Sequence, residues 1–138
     1  MKENSAKKKI LIVCPYPENS MAGQRLKYEQ FIKYWEEENY SVDISSFMSH
    51  RLLSIVHKKG HLFTKVTGTI IGFLKRVIEI PRLRKYDIVY IFLYVNPLGG
   101  PYLEKVYRKF SKKIIFDLED NGFIKPNKDI SQKLRSTE

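Results

Sequence analysis

One cysteine and three histidines are all that this 138-residue sequence offers of the commonest soft metal ligands. A lone thiol allows no disulfide within the chain, which suits a reducing compartment. Cys14 ends an apolar run and reads as a small buried hydrophobe. His57 and His61 are four apart, as ligands on one helix face would be. Gly60 intervenes and Lys58 and Lys59 would repel a cation, so no metal site is expected there. Long apolar runs are missing too. The stretch from Val66 to Leu74 is far short of the ~20 residues that cross a bilayer, and it runs into Lys75 and Arg76. The first nine residues are polar and charged, without the apolar core or cleavage site of a signal peptide. Neither a P-loop nor Gly-x-Gly-x-x-Gly follows the first apolar run, which sets aside an NAD(P)-linked oxidoreductase. No internal repeat is found.

Acids are scarce in one region. Lys and Arg outnumber Asp and Glu by 25 to 15, a net charge of +10. Residues 1–49 are balanced, seven against seven, whereas 50–86 hold nine basic residues and one acid. The excess is therefore a local surface property. With 43% hydrophobic and 13% aromatic residues, the chain has enough apolar side chain for one domain with a real core.

The order of elements reads as follows. "KILIVC" (9–14) has the β-branched, unbroken apolar character of a strand buried on both faces. "PYPENSMAG" is a loop, and Leu26, Phe31, Ile32 and Trp35 then recur at near-helical spacing until "EEEN". "YSVDISSF" (40–47) alternates as a strand, completing a parallel crossover unit. "HRLLSIVHKKG" is a short helix stopped at Gly60, and a longer helix ends near Pro81. "YDIVYIFLY" (86–94) is the clearest buried strand. Its exit loop, "VNPLGGP", leads to a helix beginning "YLEKVYRKF", and "IIFDLEDNG" (114–122) is a fourth strand. The fold class is α/β: a Rossmann-like parallel sheet with helices on both faces.

Taken together, "ILIVCPYPEN…AGQRLKYEQFIKYWEEENYSVDISSF…KYDIVYIFLY…KKIIFDLEDNG" resembles the N-terminal domain of a family-4-type, two-domain (GT-B) glycosyltransferase. The resemblance covers roughly residues 8–122. It implies transfer of a sugar from a nucleotide-sugar donor to a sugar or lipid-linked hydroxyl acceptor in envelope polysaccharide or glycolipid synthesis, with no cofactor or metal. It also implies one half of a two-domain architecture: a disordered basic start at 1–8, the domain at 9–122, and a polar tail, 123–138, leading to a second domain. A lone half would be inactive. In that family the loop after the first strand closes on the donor diphosphate, which points to Gly23, Gln24 and Arg25 as phosphate contacts. A glycine admits close approach of a ligand to backbone, and a helix start favours an anion. One glycine stands here where relatives often show two adjacent ones. The cleft would be edged by Tyr94 and Asn96 after the third strand and by Asp117, Glu119 and Asp120 after the fourth. The family's histidine near the third strand has no counterpart, so the catalytic residues stay unknown.

The basic segment has the composition of a helix lying on an anionic bilayer, with Lys58, Lys59, Lys65, Lys75 and Arg76 as surface contacts. The competing arrangement packs its apolar side on the sheet and leaves the lysines solvated. Nucleic acid is not expected as a partner, because no binding motif or stacking platform accompanies the charge. These features together suggest a cytoplasmic protein peripheral to the inner face of the plasma membrane. The alternative function is a non-catalytic module that binds a membrane or protein partner through the same segment. An unpartnered sheet edge offers a place for a second copy to pair.

Overall fold

The computed structural model describes residues 6–97 and 101–117. Four parallel strands, β1 (Lys8–Cys14), β2 (Tyr40–Ser46), β3 (Ile88–Phe92) and β4 (Ile114–Asp117), form one sheet in the order β2-β1-β3-β4. The α/β class is as expected. The order is the one that opens the flavodoxin-like sheet, 2-1-3-4-5, rather than the 3-2-1-4 of the dinucleotide fold, so the Rossmann-like detail is not confirmed. Lys8 is already paired with Tyr40, which moves the first strand one residue into the segment expected to be disordered.

Side chains of β1 alternate between two cores, as the period of two requires. Ile10, Ile12 and Cys14 pack with Tyr28 and Phe92 on one face. Leu11 and Val13 pack with Leu83, Val89, Ile91, Val95 and Tyr107 on the other. Each such aliphatic side chain, fully buried, contributes about 1.5–3 kcal/mol, so the central strands anchor the fold. The first face is covered by a helix spanning 22–37: α1 (Ala22–Gln24), a π-helical turn (Arg25–Glu29) and α2 (Gln30–Glu37). The second is covered by a 3-10 segment (Ile80–Lys85) and α5 (Tyr102–Phe110). Pro81, at the start of that segment, ends the preceding helix because it has no N–H to donate.

Two further helices lie between β2 and β3. Ser49 caps α3 (His50–Val56), its Oγ accepting from Leu52 N at 3.2 Å. Gly60 and His61, both at positive φ, reverse the chain into α4 (Leu62–Glu79). The inward side of α4 carries Gly68, Gly72 and Arg76. A Cβ at Gly72 would stand 2.7 Å from the Phe47 ring, and one at Gly68 would stand 3.0 Å from Leu52. Glycine is thus what lets this helix approach so closely. Except for Phe73, which packs edge-on against Phe47, its large apolar residues are exposed. Of the two arrangements expected from sequence, packing of this apolar side on the sheet is not the one found. Among the described residues no helix is long and apolar enough to cross a membrane.

Candidate functional site at the carboxyl rim

All four strands point the same way, so their C-terminal ends and the loops that follow share one rim. Ligands of open parallel sheets bind at this rim, at the point where the strand order reverses. Here that point lies between β1 and β3.

The crevice is occupied by Arg76. Its guanidinium is fully buried and donates to the carbonyls of three rim segments: Nε to Val95 O at 2.8 Å, Nη1 to Ser45 O at 3.2 Å, and Nη2 to Cys14 O at 2.9 Å. Nη1 also meets Ser45 Oγ at 2.7 Å and Glu79 Oε2 at 3.3 Å. The Glu79 carboxylate is the counter-charge, and the Tyr107 hydroxyl donates to its Oε2 at 2.7 Å. Arg76 is thus a staple across the sheet end and not a membrane-surface residue, which corrects its assignment from sequence. A planar fork of five donors can serve several carbonyls at once, where a lysine point charge could not.

The loop after β1 is held from within. Gln24, also fully buried, accepts from Tyr16 N at 3.2 Å and donates to Tyr16 O at 3.0 Å. Its amide is therefore committed to the loop. Gly23 is half-buried beside it and Arg25 is exposed. Met21 makes no side-chain cap, so this helix starts with unsatisfied backbone N–H groups.

Leu93, at φ 67°, turns the chain out of β3. Tyr94 follows, and burial together with the adjacent Tyr16 hydroxyl pushes its phenol far above the usual range. Tyr16 and Tyr94 therefore meet across the strand-order reversal. Asn96 is buried. Asp117, at the end of β4, forms an ion pair with Lys27 at 3.3 Å and accepts from the Tyr90 hydroxyl. That contact ties the first helix to β4, so Gly23–Arg25 and Asp117 do share one rim. Glu119 and Asp120 lie outside the described residues.

Beside the crevice, over the ends of β1 and β2, lies an open groove of about 500 Å³. Glu18, Ser46, Ser49, His50, Gly72 and Lys75 contribute to its walls. Lys75 Nζ donates to Ser46 O at 2.8 Å, which holds the ammonium at the lip. Lys58 and Lys59 are exposed beyond α3, and Lys65 Nζ turns back to Lys58 O. The three histidines are not brought together with other ligands: no group of three His, Cys, Asp or Glu able to hold a metal occurs among the described residues.

Sequence reasoning passed over Tyr16 and the staple. The available signal was Gly68-x-x-x-Gly72-x-x-x-Arg76, which sets two glycines and an arginine along one helix face.

No protein-family model matches the chain, and no curated protein matches it. A solved structure that does match is the C-terminal catalytic domain of ISC1926 TnpA, an IS607-like serine recombinase. The two are 17% identical, with a TM-score of 0.35, over 94% of this chain and 79% of that one. A likeness this distant carries no activity across. Nothing found is a glycosyltransferase. The glycosyltransferase assignment is therefore withdrawn, together with its nucleotide-sugar donor, its acceptor and its polysaccharide role. The exclusion of nucleic acid is withdrawn with it, and so is the alternative of a module binding through the basic segment.

Proposed function

We propose that the chain is an α/β binding domain that takes a small phosphate- or carboxylate-bearing molecule at the carboxyl rim of its sheet. One observation carries this reading: an open groove at the ends of β1 and β2 with Lys75 at its lip and His50 in its wall. Since Arg76 fills the strand-order reversal, the binding place is displaced by one strand towards β2. Lys75 supplies the charge, and two of its three N–H donors remain for a ligand after Ser46 O is satisfied. Gly23 and Arg25, at the uncapped helix start after the same loop, are assigned a second anion contact. Cys14, free and buried, suits a reducing, cytoplasmic setting.

The test is a titration of the ¹⁵N-labelled protein with inorganic phosphate, pyrophosphate and citrate. Saturable amide shifts at Glu18, His50, Gly72 and Lys75 are expected with at least one of them. Lys75→Ala should weaken that binding about tenfold, the scale of one charge-assisted hydrogen bond. Shifts that never saturate, or that persist unchanged in Lys75→Ala, would refute the groove.

A further inference from the structure

The outward face of α4 is the largest feature that the rim does not use. Leu62, Phe63, Val66, Ile70, Leu74, Val77 and Ile78 are each 48–84% exposed. At 100° per residue these seven fall within an arc of about 160° on one side of the helix, which they share with Thr67 and with Phe73, half-buried against Phe47. They expose roughly 800 Å², the share one partner brings to a standard interface. That exceeds the ~300–600 Å² of the largest apolar patch on a typical monomer.

Their spacing is symmetric. Val66 and Leu74 lie four positions either side of Ile70, Phe63 and Val77 seven, and Leu62 and Ile78 eight. An antiparallel copy of the same helix would set each residue of a pair against its counterpart, with Ile70 against itself. Such self-complementarity is what an isologous two-fold contact needs, and an unrelated partner would not require it. The charge pattern agrees. Lys65, Lys75 and Arg76 lie outside the arc: Arg76 is buried against the body, while Lys75, exposed, reaches Ser46 O. Ile71 stands off the symmetric set, on the flank that lines the rim groove.

We propose that α4 pairs antiparallel with α4 of a second copy of this chain, about a two-fold axis through Ile70. The 18-residue helix is about 27 Å long, enough for five turns of continuous contact. Its Ile70, Phe63 and Val77 recur every seven residues, the repeat that keeps a shallow helix crossing in register.

Sedimentation equilibrium of the full chain should give the mass of two chains at micromolar concentration. Ile70→Asp, at an exposed position, should keep the circular dichroism spectrum and raise the dissociation constant at least about 30-fold, as for a central hot spot. A short bis-maleimide gives an independent readout. Ile70→Cys should cross-link to itself. Leu62→Cys alone should not, because the two copies of residue 62 would lie about 24 Å apart, whereas Leu62→Cys mixed with Ile78→Cys should. Three results would overturn the proposal: a monomer at 100 µM, whether or not it floats with phosphatidylserine vesicles; a dimer indifferent to Ile70→Asp; or self-cross-linking of Leu62→Cys.

Discussion

Arg76 reaches across the end of the sheet to donate from Nη2 to the carbonyl oxygen of Cys14 at 2.9 Å, 62 residues earlier in the chain. The same guanidinium bonds the carbonyls of Ser45 and Val95, so three rim segments depend on one side chain. Arg76→Met should therefore cost about 3 kcal/mol or more, because three carbonyls and the Glu79 carboxylate lose their donor together. Arg76→Lys should recover only part of this, since an ammonium cannot reproduce the fork. Urea unfolding of the two variants measures the difference, and equal stabilities for wild type and Arg76→Met would refute the staple.

The two glycines of α4 should respond differently to alanine. At Gly72 the new methyl would meet a Phe47 ring that is buried and packed edge-on against Phe73. That overpacking should cost about 1–3 kcal/mol, against a helix-propensity gain of about 1 kcal/mol. A net loss is expected. At Gly68 the neighbour is the tip of Leu52, and Gly68→Ala should stay within about 1 kcal/mol of wild type. Thermal melts of both variants decide it.

Alkali should weaken the fold before the tyrosines titrate. Burial pushes the Cys14 thiol from 9.0 up to about 11. The folded chain thus holds this proton more tightly than the unfolded chain does. The stabilisation is complete below about pH 9 and is lost as pH rises towards 11, a change of about 3 kcal/mol. Tyr86, raised from 10.0 to about 12 chiefly by burial and then by its hydrogen bond to Asp43, extends the decline upwards. In Cys14→Ala the decline should begin only near pH 10. Denaturation midpoints from pH 8 to 11 would show this, and an unchanged profile in that variant would remove Cys14 as the cause.

Asp117 should behave as a structural residue. It pairs with Lys27 and accepts from Tyr90, whose phenol is raised by burial and then by that bond. Asp117→Asn should lower stability by about 1 kcal/mol and leave the phosphate titration unchanged. A loss of anion binding with unchanged stability would instead return Asp117 to the ligand site.

The strands and the first helix were legible because their patterns are local. "KILIVC" and "YDIVYIF" are β-branched apolar runs, and β1 and β3 occupy them. α4 misled for a physical reason. Amphipathic spacing identifies a helix and its apolar face but does not say which way that face turns. Here glycines, which contribute nothing to a hydrophobic pattern, determine the packed side. Gln24 was read as a ligand contact from its place at a helix start, yet its amide is spent on Tyr16. Asp117 was named as an acid at a strand end, and only the folded chain brings Lys27 to it.

By itself, the sequence determined four parallel strands with helical crossovers, because alternation and apolar runs act over a few residues. The tertiary structure alone decided that Arg76 closes the strand-order reversal, that the open groove lies one strand over, and that the apolar side of α4 faces outward. Those outcomes depend on which distant backbone carbonyls and side chains meet, and such meetings are set by packing across the whole sheet rather than by neighbouring residues.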